Sequence, residues 1–455
     1  MGRSCGCNEF SRSHLLRSAA AEAGRGLPQV ERGMPLPAGT GLSRRSFLFG
    51  SGAVLLSVYG ASRLGVKQLQ EGIAKAAGAS DPVIVTVFME GGIDSLSVLA
   101  PVDDPVYRQL RPTLALGQGA GTVFGEDSRL RWHPAAASLD TLHGEGKVSV
   151  MPAVSYKDPN QSHFTSRHYW EVGALDPGGR TGWMGRLLDV IGAADNPIQG
   201  LSLDGHLSPA LAPAHVPVAT IDGPRYDLWA PGVWDEVETM MFDAFADLGD
   251  AHASGGDSQR AGAGHVASQA MEVRRQLRPF SGGGITSPVP YPSGYFADNL
   301  AALAAMLAAG LPIRCVALNA PSSYDTHEDQ PNILNDGLKE TSDSLLAFQR
   351  DLEARSLARR VVTLVWSEFG RRPEQNASNG TDHGAAGIGF VIGSQVNGQM
   401  IGQFPGLSQL DADDNERFTT DFRAVYCALL EQWFNRDAAQ VIPGAASFHR
   451  PAIIG

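Results

Sequence analysis

Runs dominated by apolar and β-branched residues recur at long intervals: Val83–Met89, Gly146–Val154, Pro312–Leu318 and Arg360–Trp366. Each is short and ends in glycine or polar residues, so each is read as a buried central strand. Helical spacing fills the intervals. Leu300, Leu303 and Leu307 give Phe296–Ala309 an apolar stripe closed by Gly310. Further helices are expected at about Ala135–Leu142, from Asn160–Ser162 to a stop at Gly173, over Asp336–Ala354 and over Asp421–Phe434. Strands alternating with helices over this length predict an α/β fold with a mostly parallel central sheet flanked by helices.

The pattern weakens in two places. Pro101–Leu116 reads as a polar, proline-punctuated loop. Residues 225–294 read as a helical insertion with flexible stretches at Ala253–Gly264 and Ser281–Gly294, both rich in small residues. The chain of 455 residues is long enough for one large α/β domain, placed at 81–455. A net charge of −12 leaves no excess of cations to meet phosphates, which excludes a nucleic-acid partner.

Residues 1–80 follow a different rule. Residues 1–42 read as a disordered leader. Ser43-Arg44-Arg45-Ser46-Phe47-Leu48 then precedes a glycine-dotted apolar run, Phe49–Tyr59, too short to span a bilayer well. Paired arginines before such a run make a twin-arginine export signal, assigned with its linker to residues 43–80. The partner implied is the twin-arginine translocase, and the destination is the periplasm, cell surface or exterior. An uncleaved N-terminal anchor is the competing reading; no stable transmembrane span is expected after processing. Cys5 and Cys7 fall in the leader, and Cys315 and Cys427 are expected as buried thiols.

Candidate chemistry collects just after the predicted strands, where α/β sheets place their ligand sites. The first strand empties into Glu90-Gly91-Gly92-Ile93-Asp94-Ser95. Asp94 is there either a metal ligand or a helix N-cap. Spaced glycines of a dinucleotide fingerprint are missing. After the second strand, Ser162 stands at a helix start, where the dipole favours an anion. It is read as a nucleophile or simply as a cap. Arg167, farther along that helix, either binds an anionic oxygen or is a solvated charge. After the third strand, Asp325 and His327 are two apart, so an extended loop turns both to one side. After the fourth, Asp382 and His383 lie within Asn379-Gly380-Thr381-Asp382-His383-Gly384, where glycines let the backbone bend inward. Both pairs suit a small divalent cation, or else make hydrogen-bonded turns.

The ordered motifs Gly-Gly-Ile-Asp (91–94), Ser-His-Phe (162–164), Asp-Thr-His (325–327), Ser-Glu-Phe-Gly-Arg (367–371) and Gly-Thr-Asp-His-Gly (380–384) resemble an exported bacterial family, the domain of unknown function 1501. The resemblance runs from about Pro82 to Phe434 and takes in Tyr291-Pro292 and Thr420-Asp421-Phe422-Arg423. The family is similar in layout to the alkaline phosphatase/sulfatase superfamily. That implies an alkaline-phosphatase-like three-layer fold and an exported hydrolase of phosphate or sulfate esters, small or polymeric. It also implies a Ser162 nucleophile, with Thr165 as fallback, and a divalent cation on Asp94, Asp325, His327, Asp382 and His383. A mixed Asp/His set suits zinc or manganese better than calcium. Two departures point to one metal site and not two. Ala385 stands where the family often has a second histidine, and only His449, in the terminal tail, follows His383. They motivate the alternative: a non-catalytic envelope or binding protein with a degenerate metal site.

Overall fold

The β-branched runs do form strands, and the helices between them bury their apolar sides. The structure, a computed structural model, describes residues 34–39, 57–60, 66–78, 81–223, 235–253, 258–280 and 285–455. It divides into two compact units. The first comprises Met1–Val83, Gly178–Pro288 and Asp298–Leu318, the second Ile84–Pro177, Val289–Ala297 and Asn319–Gly455. The domain expected over 81–455 is distributed over both. Ser43–Leu48, with its paired arginines, lies outside the described residues, as do Cys5, Cys7 and nearly all of the leader.

In the first unit the strand order is Ser57–Tyr59, Val218–Thr220, Gly200–Ser202, Cys315–Asn319. The last three run parallel, and Ser57–Tyr59 joins antiparallel to Val218–Thr220. The end of the apolar run thus contributes a strand to this unit. Helix Val66–Ala76 follows, with Leu69 and Ile73 buried. The insertion is two packed helices, Asp235–Ala253 and Ser258–Leu277. The helix starting at Ser258 takes in residues 258–264, more than half of the stretch expected to be flexible; residues 254–257 lie outside the described ones. Among the described residues no helix is long and apolar enough to cross a membrane.

The second unit orders Val83–Phe88, Val361–Trp366, Gly387–Ile392, Val148–Ser155 and Thr420–Asp421. Gly387–Ile392 is antiparallel to both neighbours, so Val361–Trp366, Val148–Ser155 and Thr420–Asp421 share one direction. Every position of the four longer strands is buried, which accounts for their unbroken apolar pattern. Trp170 ties helix His163–Val172 to this sheet. Its ring stacks on Trp366 at 5.4 Å and on Phe422 at 4.4 Å. Cys315 and Cys427 are free and buried, as expected. Beyond Trp366 the chain forms a two-stranded ribbon, Arg371–Gln375 with Thr381–His383.

Candidate metal centre

Helix His163–Val172 begins where Ser162 caps it: Ser162 Oγ accepts from Thr165 N at 3.4 Å, and Gly173 closes it in the left-handed region. The first helical residue, His163, is thereby buried and directed at Asp325. The loop after Cys315–Asn319 delivers Asp325 and His327. It crosses Gly91 so closely that a Cβ there would stand 2.3 Å from Asp325 N, and Gly91 has φ +110°. The ribbon delivers His383. All these residues belong to the second unit.

His163 Nε2 lies 3.6 Å from Asp325 Oδ2. His327 Nε2 and His383 Nε2 lie 3.2 and 3.4 Å from Asp325 Oδ1, and 3.1 Å from each other. His163, Asp325 and His383 each offer a ligand atom within 4.8 Å of the other two. Bonds of about 2.05 Å to a tetrahedral zinc would separate its ligand atoms by about 3.3 Å. The separations found bracket that value.

The opposite ring nitrogens decide whether these imidazoles can serve as ligands. His163 Nδ1 is 2.7 Å from Glu368 Oε1, His327 Nδ1 is 3.2 Å from Asp382 Oδ1, and His383 Nδ1 is 2.8 Å from Gln161 O. Every one of these partners is an acceptor, so each Nδ1 donates. The remaining nitrogen, Nε2, points into the cluster at Asp325, where a cation would take the place of the proton it shares with that carboxylate. The residues present therefore fit a nitrogen-rich divalent site, of the kind zinc prefers.

Charge is balanced locally. Burial raises the Asp325 pKa, but hydrogen bonds from His163, His327 and His383 and the nearby Arg371 overcome it and hold the carboxyl well below its usual range. Burial pulls His163 down, yet Asp325 and Glu368 hold it up at about 9. Burial dominates at His383 and lowers it. Arg371, fully buried, donates to Asp325 Oδ1 at 2.5 Å and Thr381 O at 2.7 Å, and also to Gly91 O and Gly92 O. One guanidinium thus links three of the segments that build the cluster.

The expected ligands separate into two groups. Asp325, His327 and His383 come together. Asp94 does not join them: its two oxygens take Arg111 at 2.5 and 2.8 Å, and Ser97 and Gln330 add bonds of 2.6 and 2.5 Å. This buried ion pair holds the Asp94 carboxyl ionised against the cost of burial. Asp382 corrects the other expectation. Neighbours on a strand face opposite ways, so Asp382 meets the outer nitrogen of His327 while His383 faces the cluster. Arg167, read as a substrate contact or a solvated charge, is buried. It pairs with Glu171 at 2.8 Å and Glu90 at 3.9 Å, over the Phe88 ring.

Sequence reasoning misses His163 and Glu368 as site residues. Both sit inside the motifs Ser-His-Phe and Ser-Glu-Phe-Gly-Arg, and a histidine next to a helix cap after a buried strand is the signal that could have found the first.

An α/β protein with a carboxylate–imidazole cluster fit for a metal is the class that the fold and site define. Residues 257–440 match the family described as Protein of unknown function (DUF1501). No curated protein matches the chain. Among solved structures it is similar to the PsFucS1 sulfatase from Pseudoalteromonas sp., at 13% identity over 85% of this chain and 76% of that one, TM-score 0.33. It is also similar to the C-terminal periplasmic domain of EcEptC from Escherichia coli, at 8% identity over 80% and 87%, TM-score 0.36. The lipoteichoic acid synthase LtaP from Listeria monocytogenes shares 8% over 83% and 80%, TM-score 0.33.

Proposed function

We propose that the protein is an exported, metal-dependent hydrolase of phosphate or sulfate esters. The observation that carries this reading is the meeting of three imidazole Nε2 atoms with Asp325, each ring anchored through Nδ1. His163, His327, His383 and Asp325 would hold the cation, with zinc favoured by the nitrogen-rich set and manganese next. When bound, a divalent cation supplies Lewis acidity to an anionic ester and to a nearby hydroxyl.

Ser162 is the nucleophile in this reading. It stands between Gln161, whose carbonyl holds His383, and His163. Its place at a helix N-terminus favours the negative charge that builds as it attacks. Ser162 Oγ bonds to phosphorus or sulfur, the bond to the leaving oxygen breaks, and the serine proton ends on the departing alcohol. Water then cleaves the serine ester, releasing the inorganic anion and restoring the hydroxyl. Thr165 remains the fallback hydroxyl, one turn on. Arg167 is not assigned to substrate, because Glu171 and Glu90 already engage it. Export rests on Ser43–Leu48, with the twin-arginine translocase as the partner in transit.

Metal analysis and turnover of aryl phosphate and aryl sulfate esters by purified protein test the reading. About one zinc or manganese per chain, with turnover lost in Ser162→Ala at unchanged metal content, is the expected result. The commitment of Asp94 to Arg111 favours a second reading, in which one remaining metal site serves structure in a non-catalytic binding protein. Full metal content with no turnover on either ester class would select it.

A further inference from the structure

Glu368 is fully buried, ionic, and surrounded by donors. Gly91 N lies 3.0 and 3.2 Å from its two oxygens, and Gly92 N lies 3.2 Å from Oε2. Ser367 Oγ is 3.1 Å from Oε2 but nearer, at 2.6 Å, to Met89 O, which takes its proton. Gly91 and Gly92 have φ of +110° and +78°, which turns two successive amides towards one anion. A side chain at Gly92 would run into the Phe369 ring at 2.4 Å. The paired glycines thus cradle a carboxylate of the chain itself. That carboxylate also faces His163 Nδ1 at 2.7 Å.

We infer that Glu368 is a positioning residue that fixes the tautomer of His163, so that Nδ1 keeps its proton and Nε2 is left to bind a cation. The inference rests on the metal-centre reading and not on the hydrolase chemistry. The Gly91 and Gly92 amides can only donate, so the carboxylate between them accepts, and the imidazole facing it must donate. A glutamine of equal size cannot repeat this. Its NH2 must face either the two glycine amides, donor against donor, or His163 Nδ1. In the second case Nδ1 becomes an acceptor, the ring proton moves to Nε2, and the lone pair aimed at the cluster is lost.

The test uses the full chain stripped of metal and zinc alone as the probe. Zinc affinity is measured by competition with a chromophoric chelator for the wild type, Glu368→Gln and Glu368→Asp. Imidazole nitrogen and proton resonances of the zinc-loaded forms are recorded alongside. Glu368→Gln is expected to weaken zinc by roughly 10–100-fold. It should also lose a low-field Nδ1 proton that is absent from His163→Ala. Glu368→Asp keeps an acceptor, so it should keep that proton and lose less affinity. If Glu368→Gln fails to fold, Glu368→Asp against the wild type still decides, because loss of the Nδ1 proton with the carboxylate present would overturn the assignment. So would zinc binding by folded Glu368→Gln within twofold of the wild type. Wild-type protein that binds zinc but turns over no ester removes the hydrolase reading and leaves Glu368 in its role.

Discussion

Two carboxylates of the second unit, Asp325 and Asp94, follow buried strands and look alike in sequence, yet they end in different chemistry. Asp94 receives a bidentate guanidinium from Arg111, with both side chains fully buried. Asp325 also receives a guanidinium, from Arg371, but at one oxygen, and three imidazoles complete its surroundings. A guanidinium has no lone pair and cannot surrender a proton to a metal, so the Asp94 pair is closed. Imidazoles can shed one proton and coordinate, so the Asp325 cluster stays open to a cation. Position at a strand end does not separate a ligand from a structural ion; the partner does.

Breaking each centre should therefore give opposite signatures. Asp94→Ala leaves Arg111 buried and uncompensated, and should cost about 3–5 kcal/mol of stability, read by urea unfolding. Zinc affinity of the folded fraction should not change. The double variant Asp94→Leu with Arg111→Met should recover most of that loss. Asp325→Asn should do the reverse: zinc affinity falls by on the order of 100-fold or more, because a charged ligand is removed. If Asp94→Ala instead lowers zinc affinity as steeply, the comparison fails and Asp94 returns to the ligand set.

A third carboxylate sharpens the contrast. Glu416 is buried near Asp94; Oε2 takes the Ser95 hydroxyl at 2.9 Å, and Oε1 has no hydrogen-bond partner. Burial, more than the nearby Asp94 charge, pushes it from 4.5 up to about 8. The fold thus binds a proton that the unfolded chain has already released between those values. Stability from this group is complete below about 4.5 and is lost as pH rises through about 8. Glu416→Gln, which mimics the protonated form, should match the wild type in acid. It should exceed it above pH 8 by on the order of a few kcal/mol. Parallel stability curves for the two proteins across that range would count against a protonated Glu416.

Much of this is legible in the amino-acid order alone. The buried apolar runs mark the strands, and the Asp325/His327 spacing marks a pair that does converge. What escapes such reading depends on partners far along the chain or on a change of local geometry. Arg111 lies in a stretch that reads as a proline-punctuated loop, so nothing in the Gly-Gly-Ile-Asp motif foretells that Asp94 is neutralised. Glu368 belongs to a recognisable motif, but its role exists only because Gly91 and Gly92 aim their amides at it from 277 and 276 residues away. Asp382 parts from its neighbour His383 because Thr381–His383 is a strand, and adjacent strand residues diverge.

Asp382 also sets the smallest expected effect. Its side chain is 59% exposed and touches His327 Nδ1 at 3.2 Å and Asn376 Nδ2 at 3.2 Å. Burial raises its pKa, but Asn376 and His327 together lower it by more, so the carboxylate is ionised at neutral pH. An exposed partner of this kind contributes no more than about 1 kcal/mol to folding. It can still bias His327 towards the Nδ1-protonated tautomer, because the carboxylate accepts from that nitrogen. Asp382→Asn should therefore leave the unfolding midpoint nearly unchanged and weaken zinc by less than about 10-fold, below the range expected for a buried orienting carboxylate. A loss as large as that of Asp325→Asn would mean that Asp382 binds the cation directly, and that the Thr381–His383 strand rearranges when metal is loaded.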